Sequence, residues 1–528
     1  MTDENPCSAG DLLYLDALGP DGDYRTRNTE TVTSTAGVAV ARLSLVPPLY
    51  VSRTLGAQRK AAPLPPADRR AALSRAAEVF TDGVIAGLDF EAYAGLAARI
   101  SGLPVAITRA AARGVADGLA GAFDAVASAR PAGAVPDWRE PRVRGGGALW
   151  VRRGEVFAVH AAGNGPGVHG LWPQALALGY RVAVRPSRRE PLTGHRLVTA
   201  LRQAGFRPHD AVYLPTDHAG ADEIIASADL AMVYGGQRVV DKYAADPAVI
   251  VNGPGRSKIV ITAEQDWREC LDVVVDSVAR HGGMACVNAT AVLYEGDPAP
   301  LAAAVAERLA AIEPLPADDE RAMLPTLPLP RARTLANYLA AKAAGATTLL
   351  GADQVVADLG GGQAALRPAV HVLTEPDPEL LNLELPFPCV WVTGWSREGG
   401  RAAALTGGHR DHRRRHADRR PGRRADHRQR LPRVPDVVDR PGRPARRISG
   451  RRADAHQGVH RGLAARGALT PRNCRARRRP TPRRDRRGRG GWRRRRRPCR
   501  SWRRRRRRCR GRRSSCRPST PDPRWRTP

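Results

Sequence analysis

The chain has 528 residues, with 86 Lys and Arg against 52 Asp and Glu, a formal net charge of +34. That charge is unevenly spread: residues 401–528 hold 48 Arg, no Lys, 8 Asp and no Glu, a net of +40, leaving −6 for residues 1–400. The length fits a subunit of two or three domains, and no run approaches the roughly 18 apolar residues of a membrane span.

The first 13 residues lack the basic start and apolar core of a signal peptide. Before the tail stand only Cys7, Cys270, Cys286 and Cys389, without metal-ligand or disulfide-framework spacing. The expectation is a protein of the reducing cytoplasm with no metal site.

In chain order, residues 1–60 mix short β-like runs, such as 38–45, with Pro breaks. From 66 to 128 Ala and Leu recur at helical spacing, broken at Gly102-Leu103-Pro104, and 130–147 reads as a connector. Alternating units follow. Strands are predicted at 156–160, 181–184, 212–214, 230–233, 249–251 and 259–262. Helices are predicted at 168–178, 193–204, 219–226, 238–244 and 266–280. Such βα alternation predicts an α/β fold with a parallel sheet covered on both faces. A further strand, 289–294, follows Cys286, and residues 300–394 mix a helix at 331–344 with strands at 370–373 and 390–393.

Gly165-Pro166-Gly167-Val168-His169-Gly170 fits the GxGxxG pattern, with Glu190 about 20 residues on. A helix N-terminus there could hold a phosphate on bare amides. Pro166 has no amide to donate, so a simple tight turn is the competing reading.

Six ordered segments resemble the aldehyde dehydrogenase superfamily. Asn164-Gly165-Pro166 stands where that family has Asn-Phe-Pro, and Arg185-Pro186-Ser187-Arg188 where it has Lys-Pro-Ser-Glu. "GFRPHDAVYLPTD" and Tyr234-Gly235-Gly236-Gln237 match the next two segments. "HGGMACVNATAVLY" resembles its nucleophile segment, and "LELPFPCVWV" its Glu-x-Phe-Gly-Pro segment. The Pro-Phe-Pro-Cys variant and Gly235-Gly236 are most similar to acyl-CoA reductases of the bacterial luminescence type.

The resemblance implies roles. Cys286 becomes the nucleophile, forming a thioacyl intermediate; a buried structural thiol is the plainer reading of any lone Cys. The Asn164 amide joins the Cys286 backbone amide as an oxyanion hole. Arg185, Ser187 and Arg188 end a strand where the family holds the adenosine ribose. Arg188 in place of Glu suits the 2′-phosphate of NADP, with NAD as the alternative. Gly235 and Gly236 line the cofactor path, and Glu384 matches the residue holding the nicotinamide ribose. Asn252 occupies the place of the glutamate that activates water in acid-forming members, and an amide cannot be a general base.

The expected domains are 1–255 for the N-terminal segment and cofactor domain, 256–398 for the catalytic domain, and 399–528 for an Arg/Pro-rich tail. The expected reaction is reduction of an acyl thioester, acyl-CoA, to an aldehyde, with aldehyde oxidation to the acid as the alternative. A homo-oligomer is implied where the last family segment is intact. A basic tail by itself points to nucleic acid, but this one has little aromatic interleaving. Permitted codons for 411–461, read one base later, can encode a stretch with strand-like and helix-like runs and balanced charge. The tail is therefore read as out-of-frame translation beginning near 400–410, and nucleic acid as no natural partner.

Overall fold

The computed structural model describes residues 12–137 and 139–396. The basic tail, with the out-of-frame reading of it, lies outside the described residues. The chain begins with short strands β1 (Leu13–Leu15), β2 (Ala17–Gly19), β3 (Gly22–Tyr24), β4 (Thr29–Thr33) and β5 (Ala39–Ser44). Helices α1 (Pro48–Lys60), α2 (Pro66–Asp82), α3 (Phe90–Ser101), α4 (Val105–Ala129) and α5 (Pro141–Arg144) follow. The alternating region contains β6 (Val156–His160), α6 (Pro173–Leu178), β7 (Arg181–Arg185), α7 (Leu192–Gln203), β8 (Ala211–Tyr213), α8 (His218–Ser227), β9 (Leu230–Tyr234), α9 (Gln237–Tyr243) and β10 (Val249–Asn252). The last region holds β11 (Ser257–Ile261), α10 (Trp267–Ala279), β12 (Ala289–Tyr294), α11 (Pro298–Ala310), β13 (Thr326–Pro328), α12 (Leu329–Lys342), β14 (Thr347–Leu350), β15 (Val356–Gly360), β16 (Gln363–Leu366), β17 (Ala369–Leu373), α13 (Pro378–Leu381) and β18 (Cys389–Gly394).

The βα units build a seven-stranded sheet of order β10-β9-β6-β7-β8-β2-β3. Its five strands from β10 to β8 are parallel, and β2 and β3 add an antiparallel edge. Strands β6, β7, β8 and β9 are buried almost throughout, as their unbroken apolar runs require when helices cover both faces. The chain steps outward from β6 to β8, then returns to β9 on the other side of β6. The strand order therefore reverses between β6 and β9, which opens a crevice beyond their C-terminal ends.

A second sheet has order β11-β12-β18-β17-β14, parallel except for β14. Its residues alternate between two cores. Ala291, Leu293 and Trp391 pack on one side, while Val292, Val390 and Val392 pack on the other. Two three-stranded sheets, β1-β5-β4 and β13-β16-β15, complete the described strands. No helix among the described residues is long and apolar enough to cross a membrane.

Three elements depart from expectation. Helix α1 was not foreseen, because its inward stripe is Val51, Thr54, Leu55 and Gln58. The spacing is helical, but two of the four residues are polar. Gln58 is buried only because its amide donates to the Val182 and His209 carbonyls at 3.1 and 3.0 Å. The 66–128 helical stretch breaks at Gly102-Leu103-Pro104 as expected, but also between α2 and α3. There Arg196 of α7 donates to the carbonyls of Phe80, Gly83 and Leu88 at 2.9, 2.6 and 2.8 Å, fixing a turn from a distant helix. Finally, the helix expected at 168–178 starts only at Pro173, and Pro166–His169 is a 3₁₀ turn.

Candidate active site

Helix α10 carries the chain toward Cys286. The Asp266 carboxylate caps its start, accepting the Arg268 N–H at 3.0 Å. At its end His281, Gly282 and Gly283 are all left-handed, with φ of 56°, 66° and 69°. Glycine adopts that conformation without cost, whereas His281 is held there against its preference. A Cβ on Gly283 would overlap Pro388 and the Phe387 carbonyl carbon, so glycine also lets the 387–388 peptide approach.

The loop that follows is braced from two sides. The Asn164 amide donates to the Met284 carbonyl at 3.0 Å. Asn288 accepts the Ala285 N–H at 2.9 Å and donates to the carbonyls of Ser277, Val278 and Arg280 at 3.1, 3.2 and 2.6 Å. One buried carboxamide thus satisfies the open end of α10 and ties it to the residue before Cys286. Cys286 itself is half-buried and joins no disulfide.

Glu384 approaches from the other flank. A Cβ placed on Gly255 would lie 2.7 Å from the Glu384 Oε1, 2.7 Å from the Cys286 carbonyl oxygen and 2.9 Å from its Cα. Gly255 therefore packs closely against both the Glu384 carboxylate and the Cys286 backbone, with no room for a side chain. Burial raises the Glu384 pKa from the ordinary carboxyl value, and the Gly255 backbone N–H partly offsets this. Glu384 also lines a narrow pocket with Gly283, Ala285, Asn288, Phe387 and Cys389. Cys389 is buried at the start of β18, its thiol pushed up to about 12 by desolvation, while Cys270 is half-buried on α10.

The remaining sequence-predicted residues gather along the C-terminal edge of the first sheet. Arg185, the last residue of β7, reaches the Thr216 carbonyl at 3.5 Å and keeps a buried Nε without a partner. Burial lowers its pKa first, and the Arg188 charge second. Ser187 accepts the Arg189 N–H at 3.2 Å. Gly163 packs so closely on Ser187 and Arg189 that a Cβ would sit 2.8 Å from the Arg189 Cβ. The Asn164 loop and the Arg185–Arg188 turn are thus neighbours. Arg188 is paired with Glu30 at 2.7 Å. Gly235 donates to the Asn252 carbonyl at 3.1 Å, and Gly236 caps α9 with open space around its Cα. Asn252 ends β10 with a buried Nδ2 that has no partner.

The phosphate-loop reading of 165–170 does not survive. Its turn opens no α-helix, and His169 is buried, its Nδ1 accepting the Trp172 Nε1–H at 3.0 Å. Glu190 is fully buried and accepts the Thr193 N–H at 3.0 Å, which makes it a support for α7 and not a ribose ligand. Sequence reasoning missed Gly255, Asn288 and Glu30. An Asn two positions past the cysteine, at a strand entrance, was the only signal for Asn288, and nothing local flagged Glu30.

Residues 162–399 match the aldehyde dehydrogenase family. Among solved structures, an NAD-dependent aldehyde dehydrogenase from Sinorhizobium meliloti is similar at 17% identity and TM-score 0.63, covering 75% of this chain and 81% of that one. The P. syringae AldA indole-3-acetaldehyde dehydrogenase, a complex with NAD+ and IAA, gives 18% and 0.61, covering 72% and 79%. The aldehyde dehydrogenase KauB from Pseudomonas aeruginosa gives 19% and 0.61 over the same shares. No curated protein sequence matches the chain. On this match and this architecture, the chain has the aldehyde dehydrogenase fold, and its residues 162–399 are similar in sequence to the aldehyde dehydrogenase family.

Proposed function

We propose that the protein is an oxidoreductase that reduces an acyl thioester, with acyl-CoA as the substrate class, to an aldehyde through a thioacyl-Cys286 intermediate. Residues 1–255 serve as the N-terminal segment and cofactor domain and 256–398 as the catalytic domain. The observation that carries the choice of reaction is Asn252, an amide where the family's acid-forming members hold the water-activating glutamate.

The residues present fit a nicotinamide dinucleotide. The crevice between β6 and β9 lies where open α/β sheets bind such ligands, and Arg185 keeps a buried, unpartnered Nε at its rim. Arg185, Ser187 and Arg188 would hold the adenosine ribose, with NADPH preferred. Gly235 and Gly236 would line its path, and Glu384 would hold the nicotinamide ribose. When bound, the nicotinamide supplies a hydride to the acyl carbon.

The rest is the chain's own chemistry. The Cys286 thiolate attacks the thioester carbonyl, and the tetrahedral oxyanion is held by the Cys286 backbone N–H and the second N–H of Asn164. Its carbonyl re-forms as the coenzyme A thiolate leaves and takes a proton from solvent. After reduction, the C–S bond to Cys286 breaks and free aldehyde departs. Acyl-CoA, NADPH and one proton give aldehyde, CoA and NADP+. No water need be activated, so Asn252 is no handicap. The expected result is stoichiometric CoA thiol release and NADPH oxidation with aldehyde as product. Faster conversion of aldehyde and NADP+ to free acid, without CoA, would instead favour the dehydrogenase reading. One observation supports that second reading: Glu384, with its raised pKa, is a carboxylate beside Cys286 that could serve as a base.

The tail is best read as out-of-frame translation. The family match stops at 399, just after the last Glu, Glu398, and beyond it Arg takes over. Sequencing the gene across codons 395–470 checks this, and an intact frame with no plausible alternative would refute it.

A further inference from the structure

The cation at position 188 is not alone. Glu30, 158 residues earlier in the chain, places its Oε2 2.7 Å from the Arg188 Nη1. Its strand, β4, pairs with β5 in a register that sets Glu30 against Leu43. Residues two apart on a strand share a face, so Glu30 lies on the same side of β4 as buried Val32. The strand register therefore delivers this carboxylate inward, to the turn after β7.

Its neighbours along the sheet edge are balanced in the same way. Lys242 is paired with Asp222 at 2.5 Å. Arg185 feels Asp217, Glu30 and Asp222 as well as Arg188. Of these cations Arg185 is largely buried, while Arg188 and Glu30 keep 39% and 35% of their side chains exposed. A single half-exposed contact of this kind is weak and exchanges readily.

We propose that Glu30 is the specificity-determining residue for the cofactor, setting how strongly NADPH is preferred over NADH. This rests on the cofactor site proposed above. A 2′-phosphate has to take Arg188 from Glu30 and then sit beside a carboxylate of like charge. A ribose 2′-hydroxyl meets neither obstacle, since it can donate to Glu30 with the ion pair intact. Glu30 thus returns to this site, from a distant strand, the negative charge that position 188 lacks.

The test is calorimetric titration of the full-length protein with NADPH and with NADH, at one fixed salt concentration. The Arg-rich tail is common to every variant, so its attraction for phosphates cancels in the ratios. Glu30→Gln is expected to tighten NADPH about fivefold or more, leaving NADH unchanged or weaker. Adding Arg188→Gln should abolish that gain. Arg188→Gln alone should weaken NADPH and spare NADH, which keeps the proposal testable if Glu30→Gln folds poorly. Equal shifts for both cofactors, no shift at all, or a gain that persists in the double variant would each overturn the assignment. If the unmodified protein binds neither cofactor, the site itself fails and this proposal with it.

Discussion

Replacing Cys286 by alanine is expected to abolish turnover and every covalent acyl adduct while leaving cofactor affinity unchanged. The expectation rests on placement. Cys286 follows a helix end locked by Asn288, lies one peptide beyond the Met284 carbonyl that Asn164 holds, and packs its backbone against Gly255, as the Glu384 carboxylate does. No other described cysteine can substitute, because Cys389 is buried with its thiol pushed up to about 12 and Cys270 lies on α10 away from the loop. Mass spectrometry after incubation with acyl-CoA, without reductant, should find the adduct on the unmodified protein alone. An equal yield on the variant would remove Cys286 from the mechanism. Stability should barely change, since a half-buried thiol makes little of the core.

Asn164→Ala should lower kcat by on the order of 10²–10³ with little change in KM. An oxyanion donor acts mainly on the transition state, and one such donor contributes about that much. The carboxamide has two N–H groups. One is spent on the Met284 carbonyl at 3.0 Å, which holds the side chain against the loop before Cys286, and the other is the proposed donor to the substrate oxyanion. Losing the Met284 bond should cost about 1 kcal/mol of stability, visible as a small fall in Tm. A variant that unfolds, or one whose KM rises while kcat holds, would mean that Asn164 braces the loop without stabilising the reaction.

Much of the alternating region was legible because its signals are local. Strands β6, β7 and β9 are short apolar runs bounded by Gly and polar residues, and β12 was predicted with its full bounds at 289–294. The same logic failed for α1. Its stripe includes the polar Thr54 and Gln58, and the burial of Gln58 depends on carbonyls supplied by β7 and the segment before β8. At 165–170 spacing alone fitted a phosphate loop as well as a tight turn. Only the fold reveals a 3₁₀ turn whose histidine is tied up by Trp172.

For the candidate site the division is similar. Sequence supplied the side chains proposed to carry chemistry: the thiol of Cys286, the amides of Asn164 and Asn252, the carboxylate of Glu384, and the arginines after β7. It also determined the uneven charge, since composition needs no fold. Tertiary structure decided how those groups are used. It packed Gly255 against both Glu384 and the Cys286 backbone, made Asn288 the clamp on the loop that leads to Cys286, and set Glu30 against Arg188. The reason is range. Propensity, periodicity and motif spacing act over a few residues, whereas a hydrogen bond or ion pair joins whatever the packed sheets bring within 3 Å, here across 120 residues for Asn164 and 158 for Arg188.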